Sequence, residues 1–194
     1  MFYNIAKTLI YIFTLIFFRI KVTGAENIPE EGACILCFNH RSLLDPPVTG
    51  VYIHRNLVFM AKEELFKIPV LGFALKKLNV IPVRRGTGDV AAIKASINVL
   101  KEGKVMVIYP EGTRSKSGDL QSAKPGVALI ATKAKAPVIP IGVTGQYGFM
   151  KKLFIKIGKP MNLDAYYDRK VPMEELHEIS EKIMNDIKQL MEEV

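Results

Sequence analysis

The sequence predicts an α/β fold: a single domain with a mostly parallel or mixed sheet flanked by helices, preceded by a separate N-terminal helical segment. Three observations predict it. Beyond residue 25, short apolar runs alternate with segments of helical periodicity. Two of those runs, 33–38 and 105–109, are apolar without a break, as strands covered on both faces are. The chain ends in a segment where Leu176, Ile179, Ile183, Ile187, Leu190 and Val194 recur at spacings of three and four, the stripe of a helix lying on a core. A chain of 194 residues, 49% hydrophobic and 24% charged, is long enough for one core and too apolar to stay disordered.

Taken in order, residues 1–21 form the separate segment and 22–194 the domain. Lys7 and Arg19 bracket an apolar stretch, 8–18. At about 1.5 Å of rise per residue it covers roughly half of a ~30 Å hydrocarbon core. No small-residue cleavage site follows, so a cleaved signal peptide is not expected. Phe2, Tyr3, Tyr11, Phe13, Phe17 and Phe18 suit a membrane interface. The preferred reading is a helix lying in one leaflet; a spanning anchor and a buried core helix are the alternatives. Residues 33–38, 57–61 and 80–83 read as strands, and 63–77 as a helix bent near Pro69. Asp89 is expected to cap a helix with Val90, Ile93, Ile97 and Leu100 on one face, closed by Gly103. Then come the strand 105–109, a helix over 126–135, and strands over 137–143 and 153–157. The final helix has acids in its first turn, which suits its dipole.

The net charge of +8 is unevenly spread. Residues 172–194 hold seven acidic and two basic side chains, which leaves 25 basic and 12 acidic ones in residues 1–171. A basic body points to an anionic partner such as a phosphate, a phospholipid surface or coenzyme A. Nucleic acid is disfavoured, because no recognisable binding motif organises the basic residues. Cys34 and Cys37 have a C-x-x-C spacing inside an apolar strand, where positions three apart face opposite ways. They read as buried small residues, and no second Cys or His pair completes a metal site.

The stretch Asn39-His40-Arg41-Ser42-Leu43-Leu44-Asp45-Pro46 directly follows the run 33–38. It sets a histidine and a carboxylate five positions apart where a strand gives way to a helix. A histidine held by an aspartate is a general base near neutral pH. The plainer account makes Asp45 a helix N-cap before Pro46 and His40 incidental; one carboxylate oxygen can cap while the other accepts from an imidazole. Two further loops leave strands of their own: Arg84-Arg85-Gly86 after 80–83, and Pro110-Glu111-Gly112-Thr113-Arg114-Ser115 after 105–109. The second combines a turn glycine, a hydroxyl, backbone N–H groups and a guanidinium, the groups that hold a phosphate. Glu111 cannot bind phosphate, so it is expected to orient Arg114 or a substrate hydroxyl. With the three loops on one sheet edge, a phosphate site would lie beside a base.

These blocks, together with Ile81-Pro82-Val83 and Pro137-Val138-Ile139-Pro140, resemble the four ordered motifs of the glycerolipid acyltransferase family, and within it most the bacterial lysophosphatidic acid acyltransferases. The likeness covers roughly residues 22–160. Asn79 stands where a glycine often opens the second block. Of the two arginines after Val83, Arg85 is taken as the match. The resemblance implies that His40 takes a proton from the free glycerol hydroxyl of lysophosphatidic acid, that the hydroxyl attacks an acyl thioester on coenzyme A or acyl carrier protein, and that Asp45 orients the imidazole. It implies that Arg85 and Arg114, with Arg84, Gly112 and Thr113, hold the glycerol phosphate, and that Asn39, Ser42 and Glu111 support the site. It implies no metal and no bound cofactor, and a place on the membrane surface, at the cytoplasmic face of the cell membrane through residues 1–20. A covalent acyl-enzyme on Cys37 is disfavoured, because a thiol inside an apolar strand is a poor nucleophile. An acyltransferase with another acceptor, and a non-catalytic lipid-surface module, are the competing functions.

Overall fold

The computed structural model describes residues 2–84, 88–115 and 119–193. Its strands are β1 (Phe18–Thr23), β2 (Cys34–Phe38), β3 (Leu57–Val58), β4 (Met60–Lys62), β5 (Ile81–Val83), β6 (Val105–Ile108), β7 (Val138–Gly145) and β8 (Lys151–Ile157). Its α-helices are α1 (Phe2–Phe17), α2 (Asp45–Gly50), α3 (Pro69–Lys77), α4 (Val90–Lys101), α5 (Gly126–Ala134) and α6 (Met173–Glu192). Six strands form the main sheet in the order β1-β8-β7-β2-β6-β3. Every neighbouring pair is parallel except β7 and β8, which run antiparallel. The mixed, mostly parallel sheet flanked by helices is the fold the sequence predicts.

The central strands are apolar on both faces because both faces are covered. Ile35, Cys37, Met106 and Ile108 point into a core shared with α4, α5 and α6. Cys34, Leu36, Phe38, Val105 and Val107 point the other way, into a second core with Ile53, Leu57, Ile139, Ile141 and Ile155. Cys34 and Cys37 therefore lie on opposite sides of the sheet. Burial raises both thiols, Cys34 to about 11 and Cys37 further still, and leaves neither a ready nucleophile. In α6, Leu176, Ile179, Ile183, Met184 and Ile187 are buried at helical spacing. Truncating fully buried Ile183 to alanine would cost about 2–5 kcal/mol. Asp89 caps α4 as expected, its carboxylate accepting from the Ala92 N–H at 3.1 Å. Val194 lies outside the described residues.

Three features depart from the sequence reading. First, the N-terminal helix stops at Phe17, and the residues after it enter the sheet as the edge strand β1, paired parallel to β8. The apolar run passes from one element to the next with no turn residue to mark the change. Second, the expected strand 57–61 is two strands. Leu57–Val58 closes the main sheet beside β6, and Met60–Lys62 pairs with Ile81–Val83 in a separate two-stranded sheet. The loop that begins at Arg84 therefore leaves a satellite sheet rather than the main edge. Third, Lys7, which brackets the stretch expected to lie in a leaflet, is bonded to the body of the protein.

The third departure follows from how α1 is attached. The Lys7 ammonium donates to the Ile53 carbonyl at 2.5 Å, the Leu57 N–H donates to the Tyr3 hydroxyl at 2.9 Å, and the Thr14 and Tyr52 hydroxyls are 3.0 Å apart. Residues 3, 7 and 14 share one helical face. That face turns its polar groups toward the protein, and burial lowers the Lys7 pKa. Ile5, Leu9, Ile12, Phe13 and Ile16 are exposed instead, Leu9 to 63%. This polarity is the reverse of a surface helix in water. The exposed apolar surface continues at both ends of α1. Phe2 meets Phe73 of α3 edge-on at 6.4 Å, beside exposed Ile68, Val70 and Leu71, and Phe17 meets exposed Phe149 at 6.0 Å. No helix among the described residues is long and apolar enough to cross a membrane.

Candidate active site

Strands β2, β6 and β7 are parallel neighbours, so their carboxyl ends share one edge of the sheet, the place where α/β folds gather ligands. Asn39 and His40 follow β2 there. The Asn39 amide donates to the Val143 carbonyl at 2.9 Å and accepts from the Val143 N–H at 2.8 Å, extending the β2–β7 ladder by one side chain. The His40 N–H donates to Glu111 Oε1 at 2.7 Å, and the His40 carbonyl accepts from the Ser115 N–H at 2.9 Å. The backbone of His40 is thus clasped by the loop after β6, and the side chain of Asn39 is aligned by β7. The imidazole stacks on Tyr109, ring centroids 4.2 Å apart, and only 7% of His40 is exposed.

Asp45 is 1% exposed and is the first residue of α2. Its Oδ2 lies 2.8 Å from His40 Nδ1 and accepts from the backbone N–H groups of Arg41 and Ser42, each at 2.7 Å. Its Oδ1 accepts from the Tyr147 hydroxyl at 2.5 Å. Asp45 is therefore not a helix N-cap. It reaches back over its own loop instead of forward to the helix, and Leu44 occupies the cap position without a side-chain bond. Every partner of the carboxylate is a donor, so Nδ1 carries the imidazole hydrogen and Nε2 keeps the lone pair. The tautomer is thereby fixed, with Nε2 as the basic nitrogen of the ring.

Glu111 does not orient Arg114. It is 2% exposed, and it accepts from the N–H groups of His40 and, through Oε2 at 3.2 Å, Gln121. Burial raises its pKa against the lowering effect of those two bonds. Its role is to tie the β6 loop to the β2 exit. Ser42 likewise serves through its backbone, while its hydroxyl accepts from the Leu44 N–H at 3.1 Å. Gly112 sits at φ 71°, where a side chain would be strained, and its N–H closes a turn onto the Tyr109 carbonyl at 2.9 Å. It shapes the loop and does not offer that donor to a ligand. Thr113 and Arg114 are exposed at the rim of the same edge, the Thr113 hydroxyl 3.4 Å from Gln121 Oε1.

Arg84, the one described residue of the Arg84-Arg85-Gly86 stretch, is bonded to other groups. The Arg84 guanidinium pairs with Glu63 at 2.9 Å, and the Arg84 N–H donates to Asp89. Arg84 thus braces the end of the satellite sheet against the start of α4. Arg85, the preferred match in that block, lies outside the described residues. The sequence reading missed Tyr109 and Tyr147. A polar-tipped aromatic ending an apolar strand was a signal for Tyr109; Tyr147 carried none, since its partner is 102 residues away.

Residues 19–144 match the family model described as Acyltransferase. A 1-acyl-sn-glycerol-3-phosphate acyltransferase of Bacillus subtilis is 34% identical over 178 residues, 88% of this chain and 87% of that protein. A chloroplastic enzyme of the same name from Brassica napus is 35% identical over 132 residues; the match covers 66% of this chain but only 38% of the plant protein. The crystal structure of PlsC, the 1-acyl-sn-glycerophosphate (LPA) acyltransferase of Thermotoga maritima, superposes with a TM-score of 0.70 at 28% identity, over 95% of this chain and 79% of that one. The four motif blocks, the family model and the Bacillus relative agree: the chain belongs to the acyltransferase family.

Proposed function

We propose that this protein transfers an acyl chain from a thioester, on coenzyme A or acyl carrier protein, to the free glycerol hydroxyl of lysophosphatidic acid, forming phosphatidic acid. The observation that carries the proposal is the imidazole held by Asp45 through Nδ1, which leaves Nε2 as the basic atom. Nε2 takes the hydroxyl proton as the oxygen attacks the thioester carbonyl carbon. The tetrahedral intermediate then breaks its C–S bond, and the departing sulfur receives the proton from Nε2. Asp45 stabilises the transient imidazolium. Such base catalysis supplies about 10²–10⁴-fold; placement of the two substrates has to supply much of the rest. Arg114 at the rim, with Arg85, would hold the glycerol phosphate and so set the hydroxyl against Nε2. The names of the Bacillus and Thermotoga relatives support lysophosphatidic acid as the acceptor.

The same reading places the protein on a membrane surface, at the cytoplasmic face. The outward apolar face of α1 supports this, as do the exposed apolar residues of α3 beside Lys67, Lys76 and Lys77, which suit an anionic leaflet. The test is an acceptor panel with one thioester donor, run on the full chain and on His40→Ala. Lysophosphatidic acid should be the best acceptor, and the variant should be inactive with an unchanged melt. A better rate on glycerol 3-phosphate or a headgroup-bearing lysolipid would reassign the acceptor. An active His40→Ala would mean that another group takes the proton, and a full chain that binds lipid vesicles but acylates no acceptor would be a lipid-binding module without this chemistry.

A further inference from the structure

We infer that Tyr147, which lies outside the four motif blocks, is a positioning residue for the acyl transfer proposed above: it holds the free oxygen of Asp45 and so sets how strongly His40 keeps its proton. The inference rests on His40 acting as the base. Tyr147 is the only partner of Asp45 Oδ1 among the described residues, and it approaches from the turn joining β7 to β8, on the opposite side of the carboxylate from the Arg41–Ser42 backbone.

The placement of that hydroxyl is built, not incidental. The turn begins at Gly145, whose φ of 91° and 2.2 Å approach of a would-be Cβ to the Lys152 carbonyl admit no side chain. It is fastened by the Gln146 N–H to the Lys152 carbonyl and by the Lys151 N–H to the Gly148 carbonyl, both at 3.1 Å. The ring meets Phe18 edge-on at 5.9 Å, and the Met150 N–H donates to the Phe17 carbonyl at 2.7 Å. Tyr147 is therefore held between the end of α1 and the carboxylate. Burial, and next the Asp45 charge, raise its phenol far above the ordinary range, so it stays a donor at any working pH.

The other titratable or charged groups near the pair, among the described residues, are Glu111 and Tyr109 from the loop after β6 and Arg41 from the loop before α2. None of them donates a side-chain hydrogen bond to Oδ1. Tyr147→Phe keeps the ring and removes one of four donors. Negative charge then concentrates on the oxygen facing the imidazole, and His40 holds its proton to higher pH.

The experiment compares wild type, His40→Ala, Tyr147→Phe and a protein with 3-fluorotyrosine incorporated at 147, using lysophosphatidic acid and an acyl-CoA in mixed micelles. Tyr147→Phe should lower kcat about tenfold, leave both KM values in place, and move the acid limb of the kcat profile to higher pH. The fluorinated phenol is a stronger donor of the same shape, and it should move that limb to lower pH. If Tyr147→Phe does not fold, the direction of the fluorotyrosine shift decides alone. Unmoved limbs with His40→Ala inactive would reduce Tyr147 to packing and overturn the inference, and so would a change in KM instead of kcat. An active His40→Ala would overturn the reading of the base itself.

Discussion

Asp45 is 1% exposed and accepts four hydrogen bonds, whereas Arg114, on a loop of the same sheet edge, stands in solvent. The floor of the site, made of Asn39, His40, Asp45 and Glu111, is held largely by backbone groups of β7 and of the loops after β2 and β6. The rim, made of Thr113 and Arg114, is exposed, with the Thr113 hydroxyl 3.4 Å from Gln121 Oε1, and under the proposed function it would meet the anion. The difference divides the labour: proton transfer needs angles fixed in advance, while holding a dianionic phosphate needs charge that can reach. Changes in the floor should therefore act on kcat or on stability, and changes at the rim on KM.

The largest effect should come from Asp45→Asn. An amide cannot accept from the imidazole and from two backbone N–H groups on one atom while also accepting from Tyr147. Its NH₂ faces either Tyr147, whose hydroxyl can turn to accept it while the charge that stabilises the imidazolium is lost, or the two backbone N–H groups and the imidazole, which would then take the other tautomer. A loss in kcat of about 10³–10⁴-fold is expected, with KM for lysophosphatidic acid nearly unchanged. A variant within tenfold of wild type would mean that the floor does not fix the proton.

Glu111→Gln should act next, mainly on stability. One amide oxygen can still serve the His40 N–H, but the NH₂ then opposes the Gln121 N–H, a mismatch worth about 1–3 kcal/mol. The pH dependence has a definite sign. Burial raises the Glu111 pKa in the folded protein, so the folded state binds more protons than the unfolded one between the two values. The contribution of Glu111 to stability is therefore greatest at low pH and falls as pH rises through the carboxylate range. Melts of wild type and Glu111→Gln across pH 3.5–7 should show the gap between them narrowing upward. A gap that widens upward would mean that the hydrogen bonds to Glu111 outweigh its burial.

What could be read in advance follows the same division. The five-residue spacing of His40 and Asp45 is local, and so is the strand before it; both were legible. The layered α/β plan was legible because both faces of β2 and β6 had to be apolar. Glu111 was misassigned because its partners are backbone N–H groups, which carry no letter in a sequence. The placement of β5 failed for a related reason: an apolar run of 80–83 says strand but not which sheet, and that is set by long-range pairing with β4. The apolar stretch 8–18 suggested a helix lying in one leaflet but not which of its faces looks outward. Only the tethers from Tyr3, Lys7 and Thr14 show that the apolar face looks outward.

At the rim, Arg114→Ala should raise KM for lysophosphatidic acid roughly tenfold, the worth of about 1.4 kcal/mol of phosphate binding, and leave kcat at saturation and the melt alone. Steady-state kinetics at fixed ionic strength check this, since an exposed guanidinium loses force as salt screens it. A fall in kcat at saturating acceptor would move Arg114 from the rim to the floor, because it would then be acting on the transition state more than on the bound lipid.

The smallest effect belongs to Arg84. Its pair with Glu63 is exposed on both sides, and such a pair contributes about 0–1 kcal/mol. Arg84→Ala and Glu63→Ala should each shift the melt by no more than a degree or two. They should also leave KM alone, because this guanidinium is already paired with Glu63. The two variants separate bracing from binding. If Arg84 reached the phosphate once the lipid was bound, removing Glu63 would free it and lower KM, while removing Arg84 itself would raise KM as Arg114→Ala does. Opposite shifts in the two variants would put Arg84 in the rim; two flat results leave phosphate holding to the loop that carries Arg114 and to Arg85.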